Sequence, residues 1–229
     1  MIEIYAVNQE NLIDEKKFNA LLKFVSLDRQ RRVKKFLKKE DSQKSLIAEV
    51  LLRSIIIQKL KIRNDEISFE NTKYGKPFLK NFPDFYFNLS HSGKWVVSAF
   101  SNNTVGIDIE EIKPIDLAIA NRFFSKEEYD FIMSKTEKNR IYTFFDLWTL
   151  KESYIKAIGK GFSIPLDNFT ILINDDGKIS LKNNDYKNYY FKQYEIDINY
   201  KMALCRNEII QNDKLYFLSI DELCGISFE

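Results

Sequence analysis

Two carboxylates separated by one residue lie in a segment with the pattern of a β-strand. Asp108 and Glu110 alternate with Ile107 and Ile109. Because side chains alternate between the two faces of a strand, both carboxylates point the same way. A cation between them would offset their repulsion, and such oxygen ligands suit Mg²⁺ together with phosphate oxygens. A strand with one solvated acidic face is the alternative interpretation.

A third acidic residue, Glu152, interrupts the apolar face of a predicted helix. At roughly 100° per residue, Ile141, Phe145 and Trp148 fall within about 40° of Glu152 around the helix axis. A carboxylate buried there without a partner would cost on the order of several kcal/mol or stay protonated, so we expect a metal or a basic group beside it. Lys156 shares this face one turn later, and a buried Glu152–Lys156 ion pair is the alternative to a metal.

The single histidine follows a strand pattern and precedes a glycine turn. His91 lies between Ser90 and Ser92, and Gly93 comes next. A hydroxyl, an imidazole and the exposed amides of a turn suit phosphate binding. Nucleophilic catalysis is less favoured, because adjacent side chains usually diverge and no ordered triad is visible. A surface histidine without a role is the alternative.

Basic residues stand out in a tight turn and in a longer charged segment. In Tyr74-Gly75-Lys76-Pro77, glycine permits unusual backbone angles and proline restricts Lys76 to an extended conformation. Between residues 23 and 44, nine basic residues face three acidic ones. This concentration favours an anionic ligand or partner, although an ordinary turn and a solvated helix face remain alternatives.

Composition and periodicity predict an ordered globular protein of the α+β class. The chain has 229 residues, of which 45% are hydrophobic and 30% charged. Apolar spacing predicts helices at residues 15–25, 28–37, 41–60, 117–123, 125–134 and 137–158. Alternating or β-rich runs predict strands at residues 2–7, 67–69, 86–90, 95–100, 104–110, 169–173, 179–181, 189–195, 200–205 and 215–220.

Several classes of protein are disfavoured by the same composition. Cys205 and Cys224 are far apart, which argues against a disulfide framework or a zinc knuckle and suits a reducing compartment. The most apolar stretch, residues 46–60, contains three charged residues and is too polar to span a bilayer. Without a signal segment at the N-terminus, the expected location is the cytoplasm, with no membrane partner.

Taken in order, these segments resemble the phosphopantetheinyl transferase superfamily, specifically its surfactin-synthetase-activating (Sfp-like) class. The resemblance extends over most of the chain, and segments 106–110 and 148–156 are specific when they occur together. The matching segments are residues 74–77, 87–92, 106–110, 121–125, 148–156 and 159–161.

This resemblance implies a monomer of two similar α/β halves related by a pseudo-twofold axis, although no sequence repeat is visible. Residues 1–103 would form the half that binds the nucleotide end of coenzyme A. Residues 104–229 would supply the metal site and the side that meets the carrier protein, the latter mainly through residues 159–190. The reaction would move 4′-phosphopantetheine from coenzyme A to a serine of an apo carrier protein and release 3′,5′-ADP.

The resemblance also implies roles for individual residues. Mg²⁺, or alternatively Mn²⁺, would be held by Asp108, Glu110 and Glu152. Glu152 would be the general base, with Lys156 as a second catalytic residue. The coenzyme contacts would be Arg29, Arg32, Lys44, Ser45, Lys76, Ser90, His91, Asp108, Lys151 and Lys156.

Two functions of other kinds remain as rivals. A nucleic-acid-binding module would explain the basic residues between 23 and 44 but would leave the carboxylates without purpose. A different magnesium-dependent phosphoryl transferase, such as a nucleotide kinase, is disfavoured because the chain has no GxxxxGK[ST] loop. The sequence leaves the natural carrier protein open.

Overall fold

The computed structural model describes residues 2–174, 176–182 and 188–228 and confirms the α+β class. The helices are α1 (Glu15–Phe24), α2 (Leu27–Val33), α3 (Lys39–Leu60), α4 (Ala120–Phe123), α5 (Lys126–Ser134), α6 (Glu137–Ile158) and α7 (Ile220–Phe228). The strands are β1 (Ile2–Asn8), β2 (Phe69–Asn71), β3 (Pro77–Leu79), β4 (Tyr86–Ser92), β5 (Trp95–Ser101), β6 (Val105–Glu111), β7 (Thr170–Ile173), β8 (Ile179–Lys182), β9 (Tyr190–Tyr194), β10 (Tyr200–Arg206) and β11 (Asp213–Leu218).

The same connectivity occurs twice along the chain. In the first half, β1, α3, β4 and β5 occur in this order, with shorter elements between them. The three strands lie side by side in the antiparallel order β1-β5-β4. In the second half, β6, α6, β9 and β10 occur in the same way, and their strands lie side by side in the antiparallel order β6-β10-β9. The helices α3 and α6 each have 22 residues. This repeated connectivity supports the expectation of two similar halves, although the sequence shows no repeat.

The two sheets pack against each other through aliphatic side chains, which form a buried layer between the halves. Ile4 and Ala99 come from the first sheet, and Ile107 and Leu204 come from the second; all four are fully buried. On the outer face of the first sheet, α3 contributes buried residues such as Leu51 to a second core. The central sheets therefore fix the position of β6 relative to β4, which matters for the site below.

The C-terminal segment differs from the prediction. Residues 215–220 were expected to form one strand, but β11 ends at Leu218 and α7 begins at Ile220. The overlooked signal is a capping box, because Glu222 accepts from the backbone N–H and hydroxyl of Ser219, and Ser219 Oγ accepts from Glu222 N. β11 pairs in parallel with β1, so this part of the chain lies on the first sheet. The boundary at residues 103 and 104 stays a prediction.

The predicted helix at residues 28–37 ends earlier, at Val33, and the segment up to Lys38 is irregular. The carbonyl of Val33 accepts from the hydroxyl of Ser42, near the start of α3. In the described residues, we find no helix with the length and apolar character needed to cross a membrane.

Candidate active site

Two neighbouring strands, β4 and β6, place hydroxyls beside carboxylates. Ser90 Oγ donates to Asp108 Oδ1 at 2.9 Å, and Ser92 Oγ donates to Glu110 Oε2 at 2.7 Å. The two carboxylates lie on the same face of β6, as the strand alternation predicts. Ser90 and Ser92 are two residues apart on β4, as Asp108 and Glu110 are on β6, and each serine contacts one carboxylate.

The two halves of the fold meet here through side chains rather than through a backbone ladder. Asn88 Oδ1 accepts from Ile107 N at 2.9 Å, Ser90 Oγ accepts from Ile109 N at 3.3 Å, and Ser92 Oγ accepts from Glu111 N at 3.1 Å. These three N–H groups of β6 therefore donate to side-chain oxygens of β4 and not to carbonyls of a neighbouring strand. Sequence reasoning did not include Asn88 and Ser92 among the site residues, although polar side chains at every second position of β4 were the signal.

Helix α6 contributes Glu152 and Lys156 and lies against β6 with almost no space between the backbones. A Cβ added to Gly106 would lie 2.0 Å from Ser153 O and 2.4 Å from Ala157 N. Only glycine permits this approach. The last turns of α6 consequently face the carboxylates of β6.

Lys156 forms its ion pair with Asp108 and not with Glu152. Its ammonium lies 2.6 Å from Asp108 Oδ1 and also donates to Ser90 Oγ at 3.0 Å and Ile107 O at 3.3 Å. The alternative of a buried Glu152–Lys156 pair is therefore wrong. The close packing of α6 on β6 explains this result, because it brings Lys156 over Asp108.

The spacing placed Glu152 in the middle of the apolar face of α6, but the structure places it at the margin of that face. The face of α6 that is buried most deeply carries Leu147, Leu150 and Tyr154, whereas Glu152 and Lys156 are only half-buried. The apolar face predicted from Ile141, Phe145 and Trp148 is thus the edge of the buried face of α6. Glu152 is an acid at the margin of the core, facing the site.

Burial and mutual repulsion make all three carboxylates harder to ionise. Burial raises the pKa of Asp108, which is 3% exposed. Burial also raises the pKa of Glu110, and the charge of Asp108 raises it further. For Glu152, burial and then the charge of Asp108 raise the pKa to about 7. These electrostatic effects show that the three carboxylates are close enough to influence one another.

The same group fits a hard divalent cation in chemistry. In the described part of the chain, no three His, Cys, Asp or Glu side chains converge as a preformed metal cluster. However, Asp108 Oδ2 is buried and has no hydrogen-bond partner among the described residues, and an orphaned carboxylate oxygen is costly. Three repelling carboxylates with one unused oxygen are suitable ligands for Mg²⁺.

Cationic groups lie beside the carboxylates, around His91. The His91 ring is exposed to the cleft. Partial burial lowers its pKa, and the positive charges of Lys44 and Lys156 lower it further. Arg29 acts in the same direction more weakly. Cationic residues of α2, α3 and α6 thus act electrostatically on the imidazole, and their positive charge favours an anion there.

The predicted coenzyme contacts at the start of the chain differ in exposure. Arg29 donates to Glu49 at 2.8 Å and to Ser45 Oγ at 2.9 Å, so Arg29 and Ser45 are part of one network. Lys44 pairs with Asp41 at 3.2 Å. Arg32 is exposed on α2. Arg29, Arg32, Lys44 and Ser45 all stay predicted coenzyme contacts.

Lys151 does not face the site. Its side chain is fully buried, and its ammonium donates to Glu128 Oε1 and Phe169 O, both at 2.6 Å. Glu128 also accepts from Ser125 N and Ile171 N. Lys151 is therefore committed to the core and is not placed to contact a coenzyme, and Glu128 is part of the capping box of α5.

A pocket of ≈ 250 Å³ adjoins the carboxylates. It lies between the turn that contains Tyr74 and Lys76 and the last turns of α6, where Glu152, Lys156 and Gly159 line it. The ammonium of Lys76 itself donates to backbone carbonyls of β6 and α6. The pocket thus has walls from both halves of the fold and borders the ionic site directly.

Comparisons with known proteins agree with this arrangement. The profile of the 4′-phosphopantetheinyl transferase superfamily matches residues 104–205, and that of the 4′-phosphopantetheinyl transferase N-terminal region matches residues 13–103. The chain is 38% identical over 223 residues to 4′-phosphopantetheinyl transferase Sfp of Bacillus subtilis (strain 168), covering 97% of this chain and 100% of that protein. It is 41% identical over 227 residues to 4′-phosphopantetheinyl transferase gsp of Aneurinibacillus migulanus, covering 99% and 95%.

A solved holo-(acyl-carrier-protein) synthase from Bacillus anthracis str. Ames, in complex with CoA (3′,5′-ADP), overlaps 44% of this chain and 92% of its own. The TM-score is 0.40 and the sequence identity is 19%. The assignment depends on the sequence relatives, whose similarity extends over nearly the whole chain. These relatives are 4′-phosphopantetheinyl transferases, so the chain is a transferase of this type. The chain belongs to the 4′-phosphopantetheinyl transferase superfamily, in its Sfp-like class.

Proposed function

We propose that this protein transfers 4′-phosphopantetheine from coenzyme A to a serine hydroxyl of an apo carrier protein and releases 3′,5′-ADP. The observation that carries the proposal is the contact of Lys156 and Ser90 with Asp108, with Glu110 on the same face of β6 and Glu152 one turn before Lys156 on α6. Such a site can hold the pyrophosphate of the coenzyme and deprotonate an incoming hydroxyl.

The coenzyme would be bound by the cationic side of the cleft. Arg29, Lys44 and His91 can contact phosphate groups. The hydroxyl of Ser45 accepts from Arg29, and the hydroxyl of Ser90, which precedes His91, donates to Asp108. Lys156 donates to Ser90, Asp108 and Ile107 O and contributes its positive charge beside the pyrophosphate. The pocket of ≈ 250 Å³ beside Lys156 offers room for a further part of the coenzyme.

The metal in this proposal is Mg²⁺, with Mn²⁺ as an alternative, and its ligands are Asp108, Glu110 and Glu152. The fit is supported by the unpartnered Asp108 Oδ2 and by the raised pKa values of the three acids. When bound, the cation supplies neutralisation of the pyrophosphate charge and stabilises the charge that develops on the leaving group.

The proton step is assigned to Glu152. The serine oxygen bonds to the β-phosphorus of coenzyme A, the bond from that phosphorus to the bridging oxygen of 3′,5′-ADP breaks, and the hydroxyl proton moves to a carboxylate oxygen of Glu152. A carboxylate within reach of the incoming hydroxyl can accept this proton. The positive charge of Lys156 stabilises negative charge on the phosphate. No covalent enzyme intermediate is required.

The carrier protein is proposed to dock mainly on residues 159–190. This segment starts at the site, because Gly159 and Gly161 line the pocket beside Lys156. Residues 175 and 183–187 of the segment lie outside the described residues. Both halves of one chain contribute to the site, which supports action as a monomer. The two free cysteines are compatible with the cytoplasm as the proposed location.

The proposal is tested by following 3′,5′-ADP during incubation with Mg²⁺, coenzyme A and several apo carrier proteins. We expect release in a one-to-one ratio with modified carrier, and no release with a carrier whose acceptor serine is replaced by alanine. Chelation of divalent cations should stop the reaction, and re-addition of Mg²⁺ should restore it. Release that continues in the absence of the serine would show hydrolysis of coenzyme A rather than transfer.

A further inference from the structure

Lys76 belongs to the first half of the fold, but its ammonium lies on the second half. Its Nζ donates to Lys156 O at 2.6 Å, to Ala157 O at 3.1 Å and to Val105 O at 3.2 Å. Two of these carbonyls are in the last turn of α6, and the third opens β6. One side chain therefore ties together three parts of the chain that are distant in sequence.

The number of contacts matters because an ammonium has three N–H donors and no acceptor. Three carbonyls account for all three donors of Lys76. The carbonyls of Lys156 and Ala157 are among the last four of α6, which have no partner within the helix. A positive charge is also favoured at this end of a helix. Lys76 thus caps α6 from the opposite half and has no donor left for a phosphate.

The local sequence holds Lys76 in this position. Thr72 Oγ1 accepts from Lys76 N at 3.2 Å, and Thr72 N donates to Lys76 O at 2.9 Å. Pro77 restricts the backbone further. At the other side, a Cβ on Gly159 would lie 2.6 Å from Lys76 Cδ. The glycine that ends α6 is therefore what lets the lysine side chain pass over the helix terminus.

Lys156 is consequently held at both ends. Its backbone carbonyl accepts from Lys76, while its side chain pairs with Asp108 and Ser90. Glu152 lies one turn earlier on the same helix. A shift of the last turn of α6 against β6 would move Glu152 and Lys156 together, relative to Asp108.

We propose that Lys76 is a positioning residue for phosphopantetheine transfer, which fixes the end of α6 against β6 and so sets Glu152 and Lys156 against Asp108. This inference rests on the proposed transfer function. It replaces the expectation that the Lys76 ammonium contacts coenzyme A. The burial of the ammonium, which lowers the pKa of Lys76 to about 8, agrees with a structural contact in the interior.

The test separates positioning from coenzyme binding. For Lys76→Met, we expect kcat at saturating coenzyme A to fall on the order of tenfold or more, because small misplacements of reacting groups are costly. The Kd for coenzyme A, measured by calorimetry, should stay within about threefold of the wild-type value, since no phosphate contact is lost. Lys76→Arg retains N–H donors and should recover part of kcat. Lys73→Met is the matched control, because the Lys73 ammonium lies over the Tyr74 ring in the same turn and is exposed.

The inference is overturned by a Lys76→Met protein that retains kcat, or by one whose main defect is weak binding of coenzyme A. If Lys76→Met does not fold, as judged by circular dichroism, Lys76→Arg decides: reduced kcat with unchanged Kd supports positioning, and a raised Kd with wild-type kcat contradicts it. Absence of transfer by the wild-type protein would contradict the proposed function instead, and the two failures are thereby distinguished.

Discussion

The ammonium of Lys156 lies 2.6 Å from Asp108 Oδ1, and the second oxygen of that carboxylate is buried without a partner among the described residues. The two oxygens of Asp108 are therefore in different situations. One carries an ion pair and a hydroxyl contact from Ser90, whereas the other is available to a cation. This asymmetry would let a single carboxylate serve both the proposed catalytic lysine and a metal ion.

Replacing Glu152 should remove activity but stabilise the metal-free fold. Its pKa is raised from 4.5 to about 7, so the folded protein holds this proton more tightly than the unfolded chain does. Ionisation consequently destabilises the fold as pH rises from about 4.5, and the cost is complete above about pH 7. It is at most about 3 kcal/mol by the value of a pKa unit, and solvent screening reduces it.

We therefore expect Glu152→Gln to unfold at higher urea concentration than wild type at pH 8 in chelator, and at nearly the same concentration at pH 4. Transfer should fall at least about 1000-fold, since both the proton acceptor and a metal ligand are lost. Retained activity would remove Glu152 from the mechanism. A pH-independent stability difference would contradict the assigned burial effect.

His91→Ala should weaken coenzyme A binding and leave turnover largely unchanged. Burial and the charges of Lys44 and Lys156 lower the pKa of His91, so the ring is a neutral donor or acceptor at pH 7. Loss of one phosphate contact should raise KM for coenzyme A about tenfold, by the energy of a hydrogen bond to a charged group. Steady-state kinetics with saturating carrier measures this split. A collapse of kcat at saturating coenzyme would instead make His91 catalytic.

Lys151→Met should destabilise the fold and not the coenzyme complex. The substitution leaves Glu128 buried without its ionic partner, which typically costs about 3–5 kcal/mol. Urea unfolding measures the loss, and Lys126→Met is the control because Lys126 is 88% exposed in its pair with Asp130. The folded fraction should bind coenzyme A as wild type does. Normal stability with weakened binding of coenzyme A would instead show that Lys151 contributes to the coenzyme site.

Gly106→Ala should disrupt the contact between β6 and α6. The new Cβ would meet two backbone atoms of α6, at 2.0 and 2.4 Å, and backbone cannot move aside as a flexible side chain can. We expect a loss of about 3 kcal/mol of stability together with reduced transfer. Gly225→Ala in α7 is the matched control, because its Cβ would meet nothing within 4 Å. Equal stability of the two variants would contradict the close packing described for α6.

The sequence was sufficient to predict the elements that carry the site, because their periodicity and caps are local properties. The strand that carries Asp108 and Glu110 and the helix that carries Glu152 were predicted in this way. Partnerships between distant segments could not be predicted so well. Helical spacing paired Lys156 with Glu152, but packing permitted by Gly106 gave it to Asp108.

The same limit explains the two lysines that were assigned to the coenzyme. Lys151 and Lys76 belong to motifs that resemble the family, and a motif does not state which way a side chain points. Lys151 is directed into the core by its place on α6, 100° from Glu152, and Lys76 is directed to the helix terminus by its turn. Only the tertiary arrangement determines whether a basic residue near a site contacts the ligand.

The central claim is tested most directly by the intact mass of a carrier protein. An apo carrier is incubated with this protein, Mg²⁺ and coenzyme A and is then weighed by mass spectrometry, with Glu152→Gln as the paired reaction. The account predicts a gain of one phosphopantetheine on a single serine with the wild-type protein and none with the variant. No gain on any of several peptidyl and acyl carriers, by wild-type protein shown to be folded and to bind coenzyme A, would contradict it.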